Sequence, residues 1–91
     1  MFVIEDEQHA ECCGEFSSFD DALAELKLRA RIPRDKPPNI CPCISWKTCR
    51  RSYWIIEYND SRRPWVKIKE TPILEISSDG VVWNGRFKNN M

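Results

Sequence analysis

Residues 16–32, FSSFDDALAELKLRARI, form the one stretch with helical periodicity in a chain whose other periodic segments alternate like strands. A lone amphipathic helix among strands has to cover a sheet, so this stretch supplies one side of the core. Ser17 or Ser18 can cap its start with a hydroxyl oxygen, and Asp20 and Asp21 then fall in the first turn, where unpaired N–H groups favour negative charge. Phe19, Ala22, Leu23, Leu26 and Ala30 lie on one apolar stripe, and Leu28 lies off it. Lys27, Arg29 and Arg31 suit the C-terminal end, and Pro33 forces Ile32 out of helical geometry. The spacing predicts a helix within 17–32.

The flanking segments read as strands. An apolar run from Phe2 to Glu5 precedes an acidic turn, and His9 to Phe16 alternates with a period of two. Ala10, Cys12, Gly14 and Phe16 then share one face, and His9, Glu11, Cys13 and Glu15 share the other. Residues 1–16 are thus a β-hairpin. Tyr53 to Tyr58 is apolar on both faces, which suits a central strand. Trp65 to Lys69 alternates, Pro72 interrupts the run before Ile73 to Ser77, and Asp79-Gly80 is a two-residue hairpin signal before Val81 to Trp83. The end, RFKNNM, is expected to fray.

The expected fold is a single α+β domain of about five strands, in the order β-β-α-loop-β-β-β. Its sheet is antiparallel or mixed, with the helix packed on one face. A hairpin (1–16), the helix (17–32), a Pro- and Cys-containing loop (33–50), a three-stranded β region (51–87) and a tail (88–91) divide the 91 residues. The loop has four prolines and no period, and a loop this long in so small a domain generally carries function. Its apolar residues need a surface, so it is expected to lie across the domain as a strap.

Formal net charge is zero but segregated: residues 1–26 hold eight acidic residues and no Lys or Arg, while residues 27–51 hold eight basic residues against Asp35 alone. Such segregation either closes on itself or presents two faces to partners. The N-terminus MFVIEDE has neither a basic n-region nor a long apolar run, so no membrane span or signal peptide is expected and the cytoplasm is the default compartment. Five cysteines, an odd number, argue for reduced thiols rather than a disulfide framework.

Those thiols invite three chemistries. Cys41, Cys43 and Cys49, with His9 from the hairpin, could hold zinc, but their C-x-C-x₅-C spacing departs from the usual C-x₂₋₄-C pairing, so no cofactor is assigned and zinc stays an alternative. Lys47, Arg50 and Arg51 could activate Cys49 as a nucleophilic or redox thiol, although C-P-C is not the thioredoxin C-x-x-C. His9 and Cys13, if on one strand face, lie roughly 13 Å apart at 3.3 Å per residue, too far to pair. A thiol from elsewhere could still meet His9, which otherwise reads as a solvent-facing strand residue. No phosphate loop, H-E-x-x-H or G-x-S-x-G motif occurs, so no catalytic set emerges along the chain.

Two binding readings remain. Arg34, Lys36, Lys47, Arg50, Arg51, Arg62 and Arg63, with Trp46 or Trp65 for stacking, could hold single-stranded nucleic acid, against the neutral net charge and the acidic first quarter. Four Trp and several Arg also match interface hot spots. The sequence therefore predicts a non-enzymatic binding module, monomeric or homodimeric. Arg34, Trp46, Lys47, Arg50 and Arg51 are the contact residues for another protein, and nucleic acid is the alternative.

Pro37-Pro38-Asn39, Cys43, Trp46, Cys49, Tyr53, Glu57-Tyr58 and a closing strand from Leu74 to Trp83 together resemble a family of small uncharacterised bacterial proteins. The opening hairpin with FSSFDDALAEL is also similar to antitoxin-like small folds. The resemblance implies a bacterial cytosolic origin and brings no activity or site residues with it.

Overall fold

A computed structural model describes residues 1–40, 49–85 and 87. It contains β1 (Phe2–Asp6), β2 (Glu11–Phe16), α1 (Phe19–Arg29), β3 (Arg51–Asn59), β4 (Val66–Ser77) and β5 (Gly80–Trp83). The strands form one antiparallel sheet in the order β2-β1-β3-β4-β5, so β3 is central, as its two apolar faces require. The domain is α+β with the expected element order.

Local signals set the helix. Ser18 caps it in extended geometry, its Oγ accepting the Asp21 N–H at 3.1 Å. Ala22 and Leu26 are fully buried and Phe19, Leu23 and Ala30 pack beside them, while Leu28 is 58% exposed, as the stripe predicts. Opposite them, Ile4, Tyr53, Ile55, Ile73, Leu74, Ile76 and Trp83 complete the core. The helix ends at Arg29, short of Ile32: the chain tightens there, Arg31 N–H donating to Leu28 O and Ile32 N–H to Arg29 O, and Asn39 Nδ2 donates to Arg29 O at 2.7 Å and to Ile32 O at 2.8 Å. Asn39 is buried and also accepts the Tyr53 hydroxyl at 3.2 Å, which ties the described part of the long loop to helix and sheet.

Five sequence expectations need correction. The strand before the helix begins at Glu11, because residues 7–10 form the turn and Ala10 adopts φ 51°. A register shift between Val3 and Glu5 breaks the alternation of β2, so Cys13 and Phe16 both pack against the core while Cys12 is exposed. Gly14 lies in that irregularity at φ 141°, and a Cβ there would stand 3.1 Å from the Phe16 ring. Pro72 does not interrupt β4: the register slips between Tyr53 and Trp54, and β5 pairs no further than Leu74, so Pro72 sits on an open edge beside a bulge. The last hairpin pairs Ser77 with Gly80, so its loop is Ser78-Asp79, one residue earlier than the sequence signal. Phe87, expected to fray, is buried and stacks on Phe19 with ring centroids 6.2 Å apart.

Candidate functional site

β3 starts where β1 ends, since Asp6 pairs with Tyr53 in the register. Asp6 is fully buried at that end of the sheet and spends both carboxylate oxygens there. Its Oδ1 accepts the N–H groups of Gln8 at 3.0 Å and Ser52 at 3.1 Å. Its Oδ2 accepts from Arg51 Nη1 at 2.9 Å and lies 2.6 Å from His9 Nδ1. The Gln8 bond is the local Asx-type turn that aspartate forms two residues ahead of itself. Glu7 N–H adds a bond to Ser52 O at 2.9 Å, so the turn of residues 7–10 is fastened to β3 from both sides.

That turn aims His9. Instead of facing solvent, its side chain is 12% exposed, with Nδ1 toward Asp6 and Nε2 3.0 Å from the Sγ of Cys49, which lies two residues ahead of β3 and is half-buried. Burial pushes the Asp6 carboxyl up, but the hydrogen bonds from His9, the Ser52 N–H and Arg51 outweigh it and hold the group below its ordinary value. Asp6 is therefore ionised at neutral pH and can only accept hydrogen bonds. Nδ1 must then carry a proton, which leaves Nε2 of the neutral ring to accept the Cys49 S–H. The thiol, the imidazole and the carboxylate thus stand within hydrogen-bond distance in the order that activated nucleophiles use.

Arg51 anchors the arrangement. Its Nε donates to Asn39 O at 3.2 Å, Nη1 to Asp6 Oδ2 at 2.9 Å and Glu11 Oε1 at 3.1 Å, and Nη2 to Pro38 O at 3.3 Å and Ile40 O at 2.7 Å. These contacts use all the donors a guanidinium has. Burial acts to lower the Arg51 pKa, but the bond to Asp6 and the fields of Tyr53, Glu11 and Asp6 raise it above its ordinary value, so it stays a fixed cation. Among the described residues no buried side-chain nitrogen or oxygen lacks a partner.

The sequence-derived candidates separate in space. Arg51 is buried and committed within the chain, Arg50 beside it is exposed, and Arg34 is half-buried. Trp46, Lys47, Cys41 and Cys43 lie outside the described residues. Of the zinc alternative, Cys49 and His9 are brought together, and among the described residues there is no group of three or more His, Cys, Asp or Glu side chains fit to hold a metal. Of the nucleic-acid candidates, Arg62 and Arg63 are exposed in the β3–β4 turn, with Arg63 lying over the Trp65 ring at 5.6 Å. That turn is roughly 26 Å from Arg51 along the eight steps of β3. The basic residues are thus split between opposite ends of the strand.

Reasoning along the sequence missed Asp6, which it counted only as part of an acidic stretch, and missed the junction of His9 with Cys49. The one available signal was Asp6-x-x-His9 at the end of an apolar strand, a spacing that lets the carboxylate reach the ring across a tight turn. Among the described residues no helix is long and apolar enough to cross a membrane. Compared with protein-family models, with curated proteins and with solved structures, the chain finds no match.

Proposed function

We propose that this protein works through Cys49 as a nucleophilic thiol, with His9 as its general base and Asp6 as the residue that orients the ring and balances its charge. One observation carries this reading: the imidazole bridges Sγ and the buried carboxylate, at 3.0 Å and 2.6 Å. In the covalent step the thiol proton passes to His9 Nε2 while the sulfur electron pair forms a bond to an electrophilic centre. The imidazolium, stabilised by Asp6, then returns the proton to the leaving group. Such proton transfer contributes about 10²–10⁴-fold to a rate. Arg51 is a positioning residue, acting through its bond to Asp6.

Alkylation with limiting iodoacetamide, followed by peptide mapping, tests the reading inside one molecule. Cys49 is expected to react before the exposed Cys12, and His9→Gln to slow Cys49 by at least about tenfold while leaving Cys12 unchanged. Equal rates at the two cysteines would remove the reading.

Protein binding is the second reading, favoured by the exposed Arg50 next to Cys49 and by the charge segregation of the chain. Arg50→Glu with Arg34→Glu is its test by partner capture, because the guanidinium of Arg51 is already spent on internal contacts. Unchanged capture would end it.

A further inference from the structure

Cys49 is one of five thiols in the chain, and His9 is the only imidazole. Cys12 is exposed on β2 opposite Glu5, and Cys13 is half-buried beside Glu11, with burial raising its thiol above the ordinary value. Only Cys49 among the described cysteines therefore has both partial exposure and an imidazole at hydrogen-bond distance. The arrangement has a particular consequence for the electrophile. A reaction with an alkylating agent expels a stable halide and needs no proton donor, whereas cleavage of a peroxide expels hydroxide, a poor leaving group unless it is protonated as it departs.

We propose that Cys49 is a modification site for hydrogen peroxide, oxidised to a sulfenic acid with His9 as the proton donor to the departing oxygen; this rests on the nucleophilic-thiol reading above. The thiol proton moves to Nε2, and a sulfur lone pair attacks one peroxide oxygen, forming the S–O bond. The O–O bond breaks with its electron pair on the distal oxygen, which takes the proton from Nε2 and leaves as water. Sulfur is oxidised by two electrons, peroxide is reduced by two, and Cys–SH with H₂O₂ gives Cys–SOH with H₂O.

The geometry allows the transfer. A peroxide approaching Sγ from the His9 side would bring its distal oxygen within the 2.6–3.2 Å hydrogen-bond reach of Nε2, which lies 3.0 Å from the sulfur. The Asp6 carboxylate fixes Nδ1 of the ring at 2.6 Å, and Arg51 holds the carboxylate at 2.9 Å. Cys49 is partly exposed, and hydrogen peroxide is among the smallest electrophiles that could reach it.

The experiment exposes the reduced protein to a small excess of hydrogen peroxide with dimedone present, and maps adducts at Cys49 and Cys12 by mass spectrometry. A parallel sample takes iodoacetamide instead. Cys49 is expected to take dimedone at least about tenfold faster than Cys12. His9→Gln should lower peroxide labelling by a larger factor than alkylation, because only the former needs the returned proton. Free imidazole added to His9→Ala should restore part of the peroxide labelling. Preferential alkylation of Cys49 with equal dimedone labelling of the two cysteines would overturn the peroxide assignment and leave the nucleophile reading standing. Preference for Cys49 with neither reagent would overturn both, and this comparison within the native chain needs no variant to fold.

Discussion

The two ends of β3 are held in opposite ways. At the Arg51 end, side chains bond across 40 to 46 residues of sequence, linking β1, the hairpin turn and the loop into one buried network. At the Asn59 end, the turn that leads to β4 is exposed and closes on itself, with the Ser61 N–H and hydroxyl both donating to Asn59 Oδ1 two residues away. The long-range network fixes several distant segments in one arrangement, which a proton relay needs, because its groups must hold their distances without help from a ligand. The turn is held by its own short bonds and by a partly exposed ion pair from Asp60 to the Met1 ammonium at 3.6 Å. A reactive constellation belongs at the first end, and that is where Cys49 and His9 meet.

The two ends of β3 differ most in what rests on one arginine. Arg51→Met leaves Asp6 buried without its cation and three loop carbonyls without their donor, so urea unfolding should show a loss of about 3–5 kcal/mol. Arg63→Met at the other end removes an exposed stacking cation and should cost no more than about 1 kcal/mol. Similar losses at both ends would show that the network is no stiffer than the turn.

Asp6→Asn should cost less, about 1–3 kcal/mol, because Arg51 keeps Glu11 and the loop carbonyls. It sharpens the comparison through pH. The folded-state pKa of Asp6 is depressed, so its contribution is present above the unfolded value near 3.8 and is lost as pH falls through the lower folded value. The acid limb of a stability curve below pH 3.8 should therefore be shallower in Asp6→Asn than in the native protein. An identical limb would contradict the assignment of Asp6 as the ionised centre.

The smallest effect lies toward the Asn59 end. Tyr58 donates its hydroxyl to Glu5 at 2.7 Å, and that bond, with some burial, raises the phenol from 10.0 to about 12. A raised folded-state pKa gives stability that is complete below pH 10 and fades as pH rises toward 12. Tyrosinate absorbance should show Tyr58 still protonated at pH 10, and Glu5→Gln should bring its titration back toward the ordinary value. Glu5 is the neighbour of Asp6 on β1, but consecutive strand residues face opposite sides of the sheet, so Cys49 should be alkylated at the native rate.

What could be read from the sequence follows the same division between local and distant. Ser18 and the apolar stripe located the helix, because capping and periodicity act within a few residues, whereas Pro33 placed its end too late. The bulges that turn Cys13 inward and carry β4 through Pro72 depend on register with a neighbouring strand, which no single segment records. The site was hidden for the same reason: His9 and Cys49 are 40 residues apart, and β1 must pair with β3 before they meet. Arg50 and Arg51 looked equivalent as basic loop residues. Strand alternation separates them, since Arg51 shares the inward parity of Tyr53 and Ile55, and extending the β3 pattern two residues toward the N-terminus would have shown it.

The proton on His9 tests the account most directly. With a single imidazole in the chain, long-range ¹H–¹⁵N correlation spectra of the reduced protein at neutral pH report both ring nitrogens without ambiguity. An ionised Asp6 requires a proton on Nδ1, either in the neutral Nδ1–H form that accepts from the Cys49 thiol or in the imidazolium paired with its thiolate. A ring protonated at Nε2 alone would contradict the relay, since Nε2 would then face Cys49 as a donor and Nδ1 would face the Asp6 carboxylate without a hydrogen.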